Sequence, residues 1–266
     1  MSEIRVDTIS EKTSTSGVTI DSLGIKDGKI TNLMNATLSA ADLGGGLHIK
    51  VADSGASVAA NYDEIVIENS DHAGMSILTG TDKVGAIRFG DSGDNDIGGL
   101  IYNHDDNSMT FKVNAAEVMK IDSTGAVTKP LQPAFLAQKS ANQNDVAIDT
   151  GVTITWDTER FDVNADFASN TFTAPVTGKY VFILNLYMSD FDGAANFFQV
   201  DFISSNRNMS RIDESSGTED GYRGNMFTTL IDMDANDTTY VQVQQGSGTA
   251  QANITTSSYF SGYLAC

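Results

Sequence analysis

The chain has 266 residues, of which 40% are hydrophobic, enough for a packed core in one large or two modest domains. Acidic residues number 35 against 16 basic ones, a formal charge of −19, and such a surface repels nucleic-acid phosphates and anionic membranes. No nucleic-acid partner and no membrane insertion are therefore expected: no apolar run approaches a membrane span, and Met1 to Ser10 lacks the apolar stretch and basic start of a secretory signal.

From Met1 to about Thr128 the sequence consists of short apolar bursts separated by Gly, Asp, Ser and Asn. Ile4-Arg5-Val6, Val18-Thr19-Ile20, Ile65-Val66-Ile67, Ala86 to Phe89, Leu100-Ile101-Tyr102 and Met109-Thr110-Phe111 read as brief strands with turn residues between them. Helical spacing is nearly absent; Met34, Leu38 and Ala41 predict one short helix within Leu33 to Leu43, ended by Gly44-Gly45-Gly46. So lean a segment buries too little area alone to offset the entropy of ordering its backbone, and it is expected to share a core with copies of itself.

Gly98 to Val127 runs as a strand, a polar turn, a strand ending in Phe111, a small-residue turn and a Met119-x-Ile-Asp-x-x-Gly125 strand. This pattern resembles the hairpin that recurs in phage tail-fibre shafts. The opening Ser2 to Ser10, with Gly17 to Asp21 and Ile25 to Gly28 after it, is similar to the start of structural proteins from tailed phages.

Pro130 and Pro133 stiffen the backbone and interrupt any ladder, so the domain boundary is expected there: a β-rich shaft and virion-attachment region over 1–129, and a head over 130–266. Within the head, Asn170 to Pro175 reads as a strand that ends at a proline, followed by a turn at Thr177-Gly178. From Lys179 to Met188 bulky residues stand at both parities, Tyr180, Phe182, Leu184, Leu186 and Met188 on one side and Val181, Ile183 and Tyr187 on the other. A strand covered on both faces, in an antiparallel domain with no helices, takes its second cover from another subunit.

This half resembles the globular head of the complement first-component subunit q and tumour necrosis factor superfamily. The resemblance rests on Pro133-Ala-Phe-Leu-Ala, Val152-Thr-Ile-Thr-Trp156, Arg160-Phe-Asp162, Phe172-Thr-Ala-Pro-x-x-Gly-x-Tyr-x-Phe182, Leu230 to Val243, and the closing Tyr259-Phe-Ser-Gly-Tyr-Leu264. Asn236-Asp237 stands where that family usually has Gly-Asp, and Asn tolerates the left-handed conformation such a turn needs. A collagen-like stalk is missing, and the fibre-like segment takes its place. The resemblance implies a jelly roll that forms a homotrimer around a hydrophobic axis. The fold expected is thus all-β, a trimeric β-rich shaft followed by a jelly-roll (β-sandwich) head.

No catalytic residue is expected. His48, His72 and His104 lie in separate polar stretches and read as surface residues, with no second His or Cys at metal-ligand spacing. No cofactor is implied beyond a weakly bound calcium ion, for which the acidic runs Asp91 to Asp96 and Asp190-Phe-Asp192 are candidates, although the first lacks the closing Glu of a calcium loop. Trp156 alternates with Val152 and Ile154 and reads as core. Phe197 and Phe198, being adjacent, point to opposite faces, so one enters the core and the other meets a neighbour. Tyr180, Phe182, Leu184, Tyr187, Phe197, Phe198 and Tyr263 together form the expected core and trimer interface.

Ser204 to Asn225 reads as a long polar loop, and loops on rigid scaffolds often carry binding. Its Arg207, Arg211, Tyr222 and Arg223 supply donors and a stacking face suited to sugars or acidic groups, and are the candidate receptor-binding residues. The expected protein is a homotrimeric virion fibre or spike, assembled in the host cytoplasm. Its N-terminal region would join other virion proteins and its head a cell-surface receptor or polysaccharide. A purely structural virion part and a secreted trimeric ligand are the alternatives.

Overall fold

A computed structural model of the chain describes residues 47–214, 217, 218 and 220–266. The strands expected near Ile4 and Val18 and the helix expected over Leu33 to Leu43 lie outside the described residues. The described residues fall into two units divided between Ser76 and Ile77.

In the first unit, β1 (Leu47–Lys50) and β2 (Ile65–Glu68) pair in parallel. Buried Glu68 ties this unit together: its carboxylate accepts from the Ser54 backbone N–H at 2.7 Å and the Ser54 hydroxyl at 3.0 Å, and meets His48 Nε2 at 2.8 Å. The Ser54 amide, with Lys50 nearby, holds the carboxyl at a pKa of about 2. The expectation that all three histidines lie at the surface is corrected here, because the His48 side chain is 6% exposed against Glu68, whereas His72 is fully exposed. His104 is half-buried, its ring edge-on to Tyr102.

The second unit begins with an antiparallel meander of β3 (Val84–Phe89), β4 (Gly98–Asn103), β5 (Ser108–Val113), β6 (Ala116–Ile121) and β7 (Val127–Thr128), each paired with the next. Asn114 and Ala115, both at positive φ, make the two-residue turn between β5 and β6, whose twist suits a tight hairpin. At the next turn the Asp122 carboxylate accepts from the backbone N–H groups of Thr124 and Ala126, with Gly125 in the left-handed region. The expected change of character at Pro130 and Pro133 falls inside this unit, where the meander gives way to a jelly roll.

The jelly roll contains β8 (Ala134–Gln138), β9 (Val152–Thr153), β10 (Thr158–Asp162), β11 (Phe167–Ala168), β12 (Thr171–Thr173), β13 (Gly178–Phe191), β14 (Phe197–Ser204), β15 (Met209–Glu214), β16 (Asp220–Met233), β17 (Thr238–Gly246), β18 (Asn253–Ile254) and β19 (Tyr259–Leu264). One sheet has the order β10-β8-β19-β13-β16, with β18 also on β13; the other has the order β11-β12-β17-β14-β15, with β9 also on β17. Between them lie Phe135, Phe172, Phe182, Phe198, Phe202 and Phe260, all essentially solvent-free. Phe182 meets Phe172 and Phe202 of the opposite sheet at centroid separations of 5.5 and 6.2 Å, within the range in which aromatic pairs attract. Trp156 joins this core against Phe260, as its alternation predicts. Asn236 adopts the left-handed conformation, so the turn between β16 and β17 survives without glycine.

Ser204 to Asn225 is not one long loop. It contains β15, which pairs with β14 along its whole length, and the first residues of β16, which pair with the end of β13. Both are edge strands of their sheets, and edge strands favour charged side chains that discourage further pairing. That is why the segment looks like a loop in sequence.

Candidate assembly surface

The surface of interest is the outward face of the β13 sheet. Tyr180, Phe182, Leu184, Leu186 and Met188 point inward and are solvent-free, so Val181, Ile183, Asn185 and Tyr187 must point out. Burial pushes the Tyr180 phenol up from its usual pKa, and its hydroxyl donates to the Val176 carbonyl at 2.7 Å.

Strand register then assembles the outer face row by row. Val181 stands between Leu230 of β16 and Tyr263 of β19, Ile183 between Thr228 and Ser261, and Asn185 between Met226 and Tyr259. In the last row Tyr187 faces Gly224, whose missing side chain leaves its ring open to stack with Tyr222, centroids 5.7 Å apart and planes 15° off parallel. Leu230, Met226 and Tyr222 remain 54%, 61% and 69% exposed. Apolar and aromatic groups so grouped on one sheet face mark a contact surface, whereas single scattered ones do not.

The expected interface residues divide between core and surface. Tyr180, Phe182, Leu184 and Phe198 belong to the core of the protomer, while Tyr187 and Tyr263 lie on the exposed face. Phe197 points out, as adjacency to Phe198 requires, but from the other sheet: it covers Gly246, where an added Cβ would come within 2.6 Å of its Cδ1. It therefore sits on the opposite side of the sandwich from Tyr187. Sequence reading missed Met226 and Leu230, although the apolar pairs Met226-Phe227 and Leu230-Ile231 resemble the two-sided pattern of β13.

The four candidate receptor-binding residues do not converge. Arg207 pairs with Asp232 at 2.9 Å, near the end of β16, while Tyr222 and Arg223 stand near its start, about 33 Å away at 3.3 Å per residue. Arg211 donates to the Met226 carbonyl at 3.0 Å and to Asp213 at 3.3 Å, tying the edge of one sheet to the edge of the other. The Arg223 guanidinium lies 4.0 Å from the centre of the Phe191 ring, a cation–π contact. Tyr222 alone belongs to the apolar face.

The acidic candidates serve the fold. Asp190 accepts from Asn253 Nδ2 at 2.7 Å and from the Ser189 hydroxyl at 3.0 Å. Buried Asp192 accepts from the backbone N–H groups of Thr249 and Ala194, which hold its pKa below the usual range. Asp91 accepts from the N–H groups of Asp94 and Gly93, which likewise lower its pKa, and Asp96 pairs with Lys112 and Arg88. Among the described residues, no group of three or more His, Cys, Asp or Glu is placed to hold a metal ion. Among them, too, no helix is long and apolar enough to cross a membrane.

Residues 134–265 match the family model of the C1q domain. Among solved structures, the globular domain of the zebrafish complement 1qA protein is 17% identical, with a TM-score of 0.38, and the match covers 51% of this chain and 98% of that one. Murine APRIL, in a crystal structure at pH 8.0, is 9% identical with a TM-score of 0.37, over 50% of this chain and 98% of its own. No curated protein matches. Residues 134–265, which match the C1q domain model, are folded here as a two-sheet jelly roll.

Proposed function

We propose that the chain is a homotrimeric fibre or spike of a virus particle, whose jelly-roll heads join through the outward face of the β13 sheet and attach the particle to its host. The observation that carries the trimer is the exposed face built by Val181, Tyr187, Met226, Leu230 and Tyr263 on a sheet whose other side already forms the core. The virion setting is supported by the shaft-like pattern of Gly98 to Val127, which the meander strands follow. Three equivalent weak sites per head, repeated over several heads, would give durable attachment through avidity. Internal pairing of Arg207 and Arg211 favours a second reading, in which the head is a purely structural part of the particle.

Leu230→Asp tests the trimer, because assembly would bury three unpaired carboxylates together. Sedimentation at micromolar concentration should show a trimer for the parent chain and a folded monomer for the variant. A well-folded parent monomer refutes the assembly. Labelled parent trimer should bind host cells and block particle adsorption; a trimer that does neither leaves the structural reading in its place.

A further inference from the structure

Residues 162–166 turn the chain between β10 and β11. Asp162 closes this turn, its carboxylate accepting from the backbone N–H groups of Asp166 at 3.1 Å and Phe167 at 3.0 Å. Inside it Asn164 and Ala165 both stand at positive φ, a conformation that residues other than glycine keep where their surroundings impose it. The turn also grips the joint between meander and head: Asn164 Nδ2 donates to the Leu131 carbonyl at 3.1 Å, while Gln132 Nε2 donates to the Leu264 carbonyl at 2.6 Å. Asn164 and Leu131 line one cleft with Val118 of β6 and Val176 of the head, so meander, joint and head meet there. Asp166 is the member without a settled place, because its Oδ2 is buried and has no hydrogen-bond partner. Burial and the neighbouring Asp162 charge raise its carboxyl above the ordinary pKa, and only a hydrogen bond from the Asn164 side chain favours the ionised form.

We infer that residues 162–166 are an acid-responsive latch on the joint between meander and head, in which a proton taken up by Asp166 leaves the Asn164 amide to the Leu131 carbonyl. Without that proton the two acceptors compete. An ionised Asp166 repels Asp162 across the turn and draws the same amide toward itself, since a charged acceptor bonds more strongly than a neutral one. The protonated carboxyl does neither. Of the other groups around it, the Tyr180 phenol of β13 holds its own proton more tightly beside Asp166 and stays neutral, and Lys129 of the joint lines the cleft that Asn164 enters. With the folded-state pKa raised, the latch is fully engaged below the ordinary value of 3.8 and loosens as pH rises through the higher folded value. Asp157 and Asp192 of the head are shifted the other way, so their contacts are lost in acid. A hold that tightens in acid therefore distinguishes Asp166 from them.

Hydrogen exchange of the full-length chain, read by mass spectrometry at about pH 4 and about pH 7 and corrected for the intrinsic rate, follows the turn in peptides over 160–168 and the joint in peptides over 129–134. Both segments should be protected at least about threefold more in acid. Asp166→Asn, uncharged at either pH and close in shape, should show the acid level of protection at both. Asn164→Gly keeps the left-handed conformation but removes the amide, so the turn should still respond to pH while the joint no longer does. That separation distinguishes a latch from a local titration. Protection in the parent chain that is equal at the two pH values, or that falls in acid, overturns the inference without recourse to any variant. A pH response that survives in Asp166→Asn, or a joint response that survives in Asn164→Gly, overturns it as well. None of these readings depends on assembly, so each leaves the trimeric reading of the head untouched.

Discussion

Gly262→Ala should loosen the head without dissociating it. Gly262 lies on β19, paired with Phe182 of β13 on one side and Phe135 of β8 on the other. An added methyl would stand 2.6 and 2.8 Å from two carbons of the Phe182 ring and 2.9 Å from Phe135 Cε1. Carbon atoms rest about 3.5 to 4.0 Å apart, so both rings would have to yield by more than half an ångström. Neither has room: they are 0% and 1% exposed, and Phe182 also touches Phe172, Tyr180, Phe202 and Phe260. Overpacking of this kind costs roughly 1 to 3 kcal/mol. For a domain matched over 134–265, an unfolding entropy of about 2.1 cal/mol/K per residue converts that cost to a fall in Tm of about 4 to 11 °C. Calorimetry at fixed protomer concentration measures it, since assembly makes Tm concentration-dependent. Adding Phe182→Leu should relieve the clash, so that the double variant is more stable than the sum of the single effects by about 0.5 to 3 kcal/mol. A Gly262→Ala head that melts with the parent, or a strictly additive double variant, would refute the packing argument. Sedimentation should meanwhile show an unchanged trimer, because Gly262 faces the core.

Tyr222→Ala should weaken the trimer while Arg211→Ala leaves it intact, because Tyr222 presents a 69% exposed ring on the proposed assembly face, whereas Arg211 only ties two sheet edges of one protomer. Concentration-dependent sedimentation of the two variants distinguishes them, and equal effects would show that the two residues share one surface. The Glu68 carboxyl has its pKa depressed in the folded chain, so its contribution to holding the first unit is present above its ordinary value of 4.5 and lost as pH falls through about 2. The Ser54 amide resonance, followed by NMR from neutral to acidic pH, should shift with a midpoint near that low value. A midpoint at 4.5 would show that the Ser54 contact does not form.

The sequence made β13 legible because a run with bulky residues at both parities has few explanations. Its inward set is core and its outward set lies on an exposed apolar face, both as expected from parity alone. Parity does not say which sheet a strand joins. Adjacency alone sends Phe197 and Phe198 to opposite faces, yet the face Phe197 occupies depends on β14 lying between β15 and β17 in the other sheet. Strand order is a long-range property: β8 pairs with β19 across almost the whole head, and no local pattern encodes that. Polar edge strands hid for a related reason. Met209 to Glu214 alternates neither cleanly nor strongly, since its ladder partner is on one side only and its other side meets water. His48 went unrecognised because its environment depends on Glu68, twenty residues on and brought beside it by parallel pairing.

The same distinction separates the assembly face from the four receptor candidates. Assembly through a sheet face needs only that apolar residues recur every second position on neighbouring strands, and each strand carries its part of that pattern locally: Val181 and Ile183 on β13, Met226 and Leu230 on β16, Tyr263 on β19. A binding site for sugars or acidic groups needs donors from different strands to converge, which composition cannot guarantee. Arg207, Arg211, Tyr222 and Arg223 lie within a short stretch of sequence, but an extended strand moves about 3.3 Å per residue, so closeness in sequence becomes distance in space. Once β15 and β16 are strands, Arg207 is carried to one end of the sandwich and Tyr222 to the other, and a trimer that buries Tyr222 removes it from any receptor. Attachment by the head would then draw on donors at a single end of the sandwich, and Arg207 beside Asp232 and Tyr222 beside Tyr187 cannot belong to the same contact.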